Sequence, residues 1–215
     1  MQKRQNRGAA SPGRSTVPHR VRIIGGRWKR TPLPVLAAEG LRPTPDRVRE
    51  TAFNWLNHLL DGDWQRIRCL DLFAGSGALG FEAASRGAAQ VTLVEQSSAA
   101  VGQLQEVKAK LDAQQVAVVR GDGIRLAQGW AERAGPEAPR FDLIFVDPPY
   151  RQEWLEKVLP LCARLLSENG IVYVEAEAAL DGAGMAPAWM AEWEIVRADR
   201  AGMAFYHLLQ RKSER

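Results

Sequence analysis

The sequence is poor in cysteine and histidine and has no long hydrophobic run. Its two cysteines, Cys69 and Cys162, stand far apart with no C-x-x-C spacing. Cys69 falls in an apolar strand-like run and Cys162 in a helix-like one. Both are expected as buried free thiols, in keeping with a reducing cytoplasm. The three histidines, His19, His58 and His207, lack metal-ligand spacing, so no metal is expected. No apolar stretch approaches the ~20 residues needed to span a bilayer, so no membrane role is expected. The basic N-terminal stretch lacks the apolar core of a secretory leader. What is present is an ordinary globular composition, 215 residues of which 46% are hydrophobic. That suffices for one α/β domain with a small appendage.

Negative charge is missing from the start of the chain, where the first acidic residue is Glu39. Lys3, Arg4, Arg7, Arg14, Arg20, Arg22, Arg27, Lys29 and Arg30 all precede it. Of the 29 basic residues, 20 are left for positions 31–215, against 25 acidic ones. The positive excess therefore lies wholly in an N-terminal arm. Polyanionic backbones attract such arms by releasing counterions, which points to a nucleic acid. A solubilising tail is the alternative.

Residues 1–20 are rich in Ser, Gly, Pro and Arg and read as a disordered basic tail. Residues 21–35, with Gly25-Gly26 and Trp28, predict a hairpin-like element. In Gly40-Leu41-Arg42-Pro43-Thr44-Pro45, Thr44 is expected to cap a helix with Pro45 in its first turn. That helix should run to about Leu60, with Val48, Ala52, Trp55, Leu56 and Leu59 on one face. Arg42, Arg47 and Arg49 then remain for a phosphate or carboxylate, or form a solvated face. From residue 63 strands and helices alternate. Strands are expected at 67–72, 90–94, 116–120, 141–146 and 171–175. Helices are expected at 77–86, 97–111, 124–133 and 152–166, with a closing strand pair at 192–198 and 204–210. Such alternation predicts a parallel sheet covered on both faces.

The run Asp71-Leu72-Phe73-Ala74-Gly75-Ser76-Gly77-Ala78-Leu79-Gly80 joins the first strand of this sheet to its helix. Glycines allow a ligand to approach the backbone closely, and the helix start offers free N–H groups. Glu95, ending the next strand, could reach ribose hydroxyls. Gly75, Gly77 and Gly80 also fit the dinucleotide pattern, so a NAD-dependent oxidoreductase is a real alternative. Asp71 opposes that reading, because a carboxylate beside a pyrophosphate is repelled. It suits S-adenosylmethionine, which carries an ammonium and a sulfonium. Asp122, followed by Gly123, could accept a hydrogen bond from adenine or simply cap the next helix.

Asp147-Pro148-Pro149-Tyr150 follows the most apolar strand, 141–146. An exocyclic base amine is a poor nucleophile because its lone pair is delocalised into the ring. Asp147 can accept one N–H and the Pro148 carbonyl the other, which orients the lone pair. The two prolines stiffen the turn, and Tyr150 can stack on the base. Guanine and adenine amines are served alike, so an adenine-N6 methyltransferase on RNA or DNA stays open. Residues 1–62 alone would be free for a DNA-recognition region, which argues against sequence-specific DNA binding.

Taken with Ile23-Ile24-Gly25-Gly26-Arg27-Trp28, Leu41-Arg42-Pro43-Thr44, Asp46–Thr51 and Phe53-Asn54-Trp55-Leu56, these motifs resemble the bacterial 16S ribosomal RNA guanine-N2 methyltransferase D family. The resemblance covers residues 21–210. It implies a Rossmann-like class I methyltransferase fold with a seven-stranded, mostly parallel sheet, helices on both faces and a small N-terminal extension. It implies S-adenosylmethionine held by Thr44, Asp71, Phe73, Ala74, Gly75, Ser76, Gly77, Glu95, Asp122 and Gly123. Asp147, Pro148, Pro149 and Tyr150 would lie at the target guanine. Arg22, Arg27, Trp28, Lys29, Arg30, Arg42 and Arg47 are expected at the RNA, with residues 21–62 as RNA contact and cofactor lid and 63–215 as the methyltransferase domain. The expected partner is 16S rRNA in the small subunit or a late precursor, met by a cytoplasmic monomer.

Overall fold

The computed structural model describes residues 21–35, 44–133, 140–148, 154–180 and 187–212. The basic tail 1–20, Arg42, Pro149 and Tyr150 lie outside the described residues. Two short strands, β1 (Val21–Arg22) and β2 (Pro32–Leu33), pair antiparallel as the expected hairpin. Helix α1 (Asp46–Leu59) follows, then a 3₁₀ turn at Trp64–Arg66.

The alternating region forms β3 (Arg68–Asp71), α2 (Ala78–Arg86), β4 (Gln90–Glu95), α3 (Ser98–Leu111), β5 (Val116–Arg120), α4 (Gly123–Glu132), β6 (Phe141–Val146), α5 (Trp154–Leu165) and β7 (Leu166–Ala176). The chain closes with β8 (Trp193–Ala201) and β9 (Ala204–Arg211). These seven strands make one sheet in the order β5-β4-β3-β6-β7-β9-β8. The pairs among β3 to β7 are parallel, and β9 runs antiparallel to both β7 and β8. The expected strand at 171–175 begins five residues earlier. Leu166 pairs with Phe141 and Ile171 with Leu143, so residues 167–170 form an irregularity within the strand.

Successive side chains of a strand face opposite layers, and the core divides accordingly. Cys69, Leu93, Leu143, Phe145 and Tyr173 face the layer of α1, α2 and α3. Leu70, Val94, Ile144, Val146 and Val174 face that of α4 and α5. Both cysteines are buried and free. No helix among the described residues is long and apolar enough to cross a membrane.

The hairpin is docked on α2 by polar contacts that the sequence pattern did not announce. Glu82, fully buried, accepts the amide hydrogens of Ile24 (2.6 Å) and Gly25 (2.8 Å) and the Arg86 Nε–H (2.8 Å). Ser85 Oγ accepts from the Trp28 amide at 2.9 Å, and Ser85 carbonyl oxygen from the Arg27 amide at 2.7 Å. A Cβ on Gly26, whose φ is +72°, would lie 1.9 Å from that carbonyl oxygen, so only glycine allows this approach.

Candidate active site

The strand order reverses between β3 and β6. Each leads from its carboxyl end into a crevice where open α/β sheets bind ligands. The glycine turn leaves β3 there, and Asp147 leaves β6 beside it. Gly75 and Gly77 have φ of +51° and +76°, conformations that side chains with a Cβ rarely adopt. A Cβ on Gly77 would also lie 2.5 Å from the Phe81 side chain and 2.7 Å from that of Leu104. The turn is pinned by Ala74, whose amide donates to Val94 carbonyl oxygen at 2.9 Å. Phe73 lies partly exposed with its ring 6.0 Å from that of Trp154, and Ser76 is partly exposed at the turn.

Two carboxylates hold the turn from beneath and from the side. Asp71 is 1% exposed, and its Oδ2 accepts the Gly80 amide hydrogen at 3.1 Å. Its Oδ1 has no hydrogen bond. Burial pushes the Asp71 carboxyl up to about 7 against the help of the Gly80 and Phe73 amides, with Glu95 adding repulsion. A ligand would therefore meet the glycine backbone before this carboxylate. Glu95 is more open. Its Oε2 accepts from the Gly75 amide at 2.9 Å and its Oε1 from the Ser97 amide at 2.7 Å. Asp122 Oδ1 caps α4 by accepting from the Arg125 amide at 3.0 Å. Behind it, a Cβ on Gly123 would stand 2.4 Å from Leu72 carbonyl oxygen, so glycine there lets α4 abut the loop after β3. The sequence features 71–77, 95 and 122–123 thus meet around one crevice.

Asp147 and Pro148 are both partly exposed at its other wall. Thr44, expected as a helix cap, does not cap α1. Pro45 occupies the cap position without a side-chain bond. The Thr44 hydroxyl instead donates to Glu175 Oε1 at 2.6 Å and lies 3.4 Å from Asp147 Oδ2. Tyr173 also donates its hydroxyl to Glu175 Oε1, at 2.8 Å. Desolvation, then the neighbouring charges of Glu175 and Asp71, hold the Asp147 carboxyl well above the ordinary carboxylate range. The chemistry read from the sequence did not require such an elevation. Glu175 is raised by burial too, opposed by its bonds from Thr44 and Tyr173 and by the Arg49 charge.

Glu175 and Tyr173 were missed as site residues. A carboxylate ending an apolar strand is the signal that singled out Glu95, and it applied equally to Glu175. Arg49, expected to be available for a phosphate or carboxylate, is fully buried. It donates to Asp46 Oδ1 (2.7 Å), Arg22 carbonyl oxygen (2.9 Å) and Thr44 carbonyl oxygen (3.4 Å), so it fixes the segment that carries Thr44. Of the residues expected at RNA, Arg22, Arg27, Lys29, Arg30 and Arg47 are exposed. Arg22 is paired with Asp46 at 2.7 Å. Trp28, also expected there, is 8% exposed and packs in the core beneath the hairpin.

The family model described as conserved hypothetical protein 95 matches residues 21–210. The chain is 40% identical over 200 residues to ribosomal RNA small subunit methyltransferase D of Escherichia coli, spanning 90% of this chain and 91% of the relative. It is 37% identical over 194 residues to the protein of the same name from Haemophilus influenzae, spanning 88% and 93%. Among solved structures, an Escherichia coli chain assigned as the methyltransferase yhhF superposes with a TM-score of 0.73 at 37% identity, covering 91% of this chain and 99% of that one. Fold, motif order and relatedness along nearly the whole length agree, and the chain belongs to the ribosomal RNA small subunit methyltransferase D family of class I methyltransferases.

Proposed function

We propose that this chain transfers a methyl group from S-adenosylmethionine to the exocyclic N2 of a guanine in 16S rRNA of the small ribosomal subunit. The observation that carries the reading is Asp147 at the sheet's switch point, across one crevice from a glycine turn held by Glu95. S-adenosylmethionine supplies an electrophilic methyl carbon on a sulfonium. Gly75–Gly77 would admit it to the backbone, Glu95 would accept from the ribose hydroxyls, and Asp122 at the start of α4 would face adenine. Asp147 and the Pro148 carbonyl would accept the two N–H hydrogens of the target amine and aim its lone pair, so orientation supplies much of the rate. Tyr150 would stack on the base.

The rRNA substrate follows from the family, whose Escherichia coli and Haemophilus influenzae members bear that activity in their names. Exposed Arg22, Arg27, Lys29, Arg30 and Arg47 supply charge for phosphates, and the basic arm before Val21 extends it. The reading implies a cytoplasmic enzyme acting as a monomer on the assembled subunit or a late precursor. It is tested by incubating purified protein and methyl-labelled donor with small subunits from cells lacking it, then mapping the product by mass spectrometry. N2-methylguanine at one site is expected. N6-methyladenine, or no incorporation, would overturn the proposal.

A further inference from the structure

Glu175 has no part in the chemistry argued so far, yet it is 6% exposed at the carboxyl end of β7, against the wall that carries Asp147. One hydroxyl lies between the two carboxylates. Thr44 has a single hydroxyl hydrogen, and the 2.6 Å contact assigns it to Glu175 Oε1. The 3.4 Å separation between Thr44 Oγ and Asp147 Oδ2 is longer than an ordinary O–H···O bond, so it leaves Asp147 room to carry a proton on that side. Glu175 accepts from both Thr44 and Tyr173 and faces the buried Arg49 charge, and these three favour its ionised form against its burial. Among the described residues, the groups facing Asp147 are Glu175 and Tyr173 from β7, Asp71 from β3 and Thr44 from the segment before α1, and none of these is a cation.

We propose that Glu175 is a positioning residue of the methyl-transfer site, held ionised beside Asp147 so that Asp147 captures the proton released by the methylated amino nitrogen. This inference rests on the methyltransferase reading above. The nitrogen lone pair forms the bond to the methyl carbon while the carbon–sulfur bond breaks, its electron pair going to sulfur. The nitrogen, now positively charged, gives one N–H proton to Asp147. Protonated Asp147 can then face Thr44, whose hydroxyl donates to Glu175 at 2.6 Å, within the spacing of the three groups. The proton leaves to solvent from the partly exposed face of Asp147 before the next turnover.

The test is Glu175→Gln, which keeps shape and removes the charge. Without that anion Asp147 becomes a weaker base. The expected result is a kcat lower by about 100-fold, with the acid limb of the kcat profile moved to lower pH by about one pH unit or more. Donor binding measured by calorimetry should stay unchanged, and Glu175→Asp should restore part of kcat. An acid limb that stays in place, whatever happens to kcat, overturns the proposal. Carboxyl ¹³C titration of the wild-type protein decides the matter if Glu175→Gln does not fold. Asp147 should hold its proton well beyond the ordinary carboxylate range while Glu175 ionises first, and the reverse order overturns it. That titration needs no rRNA, so a wild-type protein that methylates no guanine would defeat the proposed function without touching this result.

Discussion

Asp71 Oδ2 takes the amide hydrogen of Gly80 at 3.1 Å, tying the end of β3 to the first turn of α2 across the glycine turn. The bond fastens the glycine turn, but it is made by a carboxyl that burial has pushed up to about 7. The folded chain thus binds more protons here than the unfolded chain, in which the group ionises near 3.8. Stability from this group is fully present below pH 3.8 and declines as pH rises towards 7. Asp71→Asn, which can still accept from Gly80, should remove this slope. Urea denaturation of both proteins at a series of pH values between those limits should show their difference in unfolding free energy changing steadily in favour of the variant as pH rises. A constant difference would count against the assignment.

Glu82→Ala should loosen the N-terminal hairpin from α2. Three donors, the amides of Ile24 and Gly25 and the Arg86 guanidinium, would lose a fully buried acceptor. Removing one partner from such a buried cluster costs about 3 kcal/mol or more. Chemical denaturation gives the figure, and limited proteolysis near residues 21–35 should become faster. A loss under about 1 kcal/mol would show that water replaces the carboxylate.

Asp147→Ala should lower methyl transfer by at least about 100-fold, the usual scale for a positioned acid or base. Donor affinity should hold, because the glycine turn and Glu95 lie on the other wall. Filter binding to small subunits should hold as well. Residual activity near that of the wild type would remove Asp147 from the proposed chemistry.

Replacing Arg27, Lys29 and Arg30 together by Ala should weaken rRNA binding chiefly through ion release. All three are exposed, so little packing is lost. At roughly 0.7 to 0.9 per phosphate contact, the slope of log affinity against log salt should become shallower by about 2. Deleting residues 1–19 should flatten it further. Unchanged slopes would mean that this face does not meet the RNA.

Much of the fold was legible because its signals are local. Apolar strand runs alternating with amphipathic helices gave all the parallel strands, and the antiparallel closing pair was found where expected. Boundaries failed where tertiary pairing extended an element, as at Leu166, which pairs with Phe141 before an irregular stretch holding exposed Glu168 and Asn169. Thr44 misled for a related reason. A threonine before a proline at a helix start fits a local cap, but its hydroxyl found a partner 131 positions away in Glu175.

By itself the sequence determined the α/β alternation, the glycine turn, the acids at strand ends and the Asp-Pro-Pro-Tyr run. These depend on backbone preferences and on side-chain periodicity, both written into short segments. Only the tertiary structure decided that Arg49 and Trp28 are interior, that Glu82 anchors the hairpin, and that Glu175, Thr44 and Asp147 share one hydrogen-bonded cluster. Burial and the proximity of like charges arise when distant strands come into register. They set proton affinity through solvent exclusion, which no stretch of chain encodes alone.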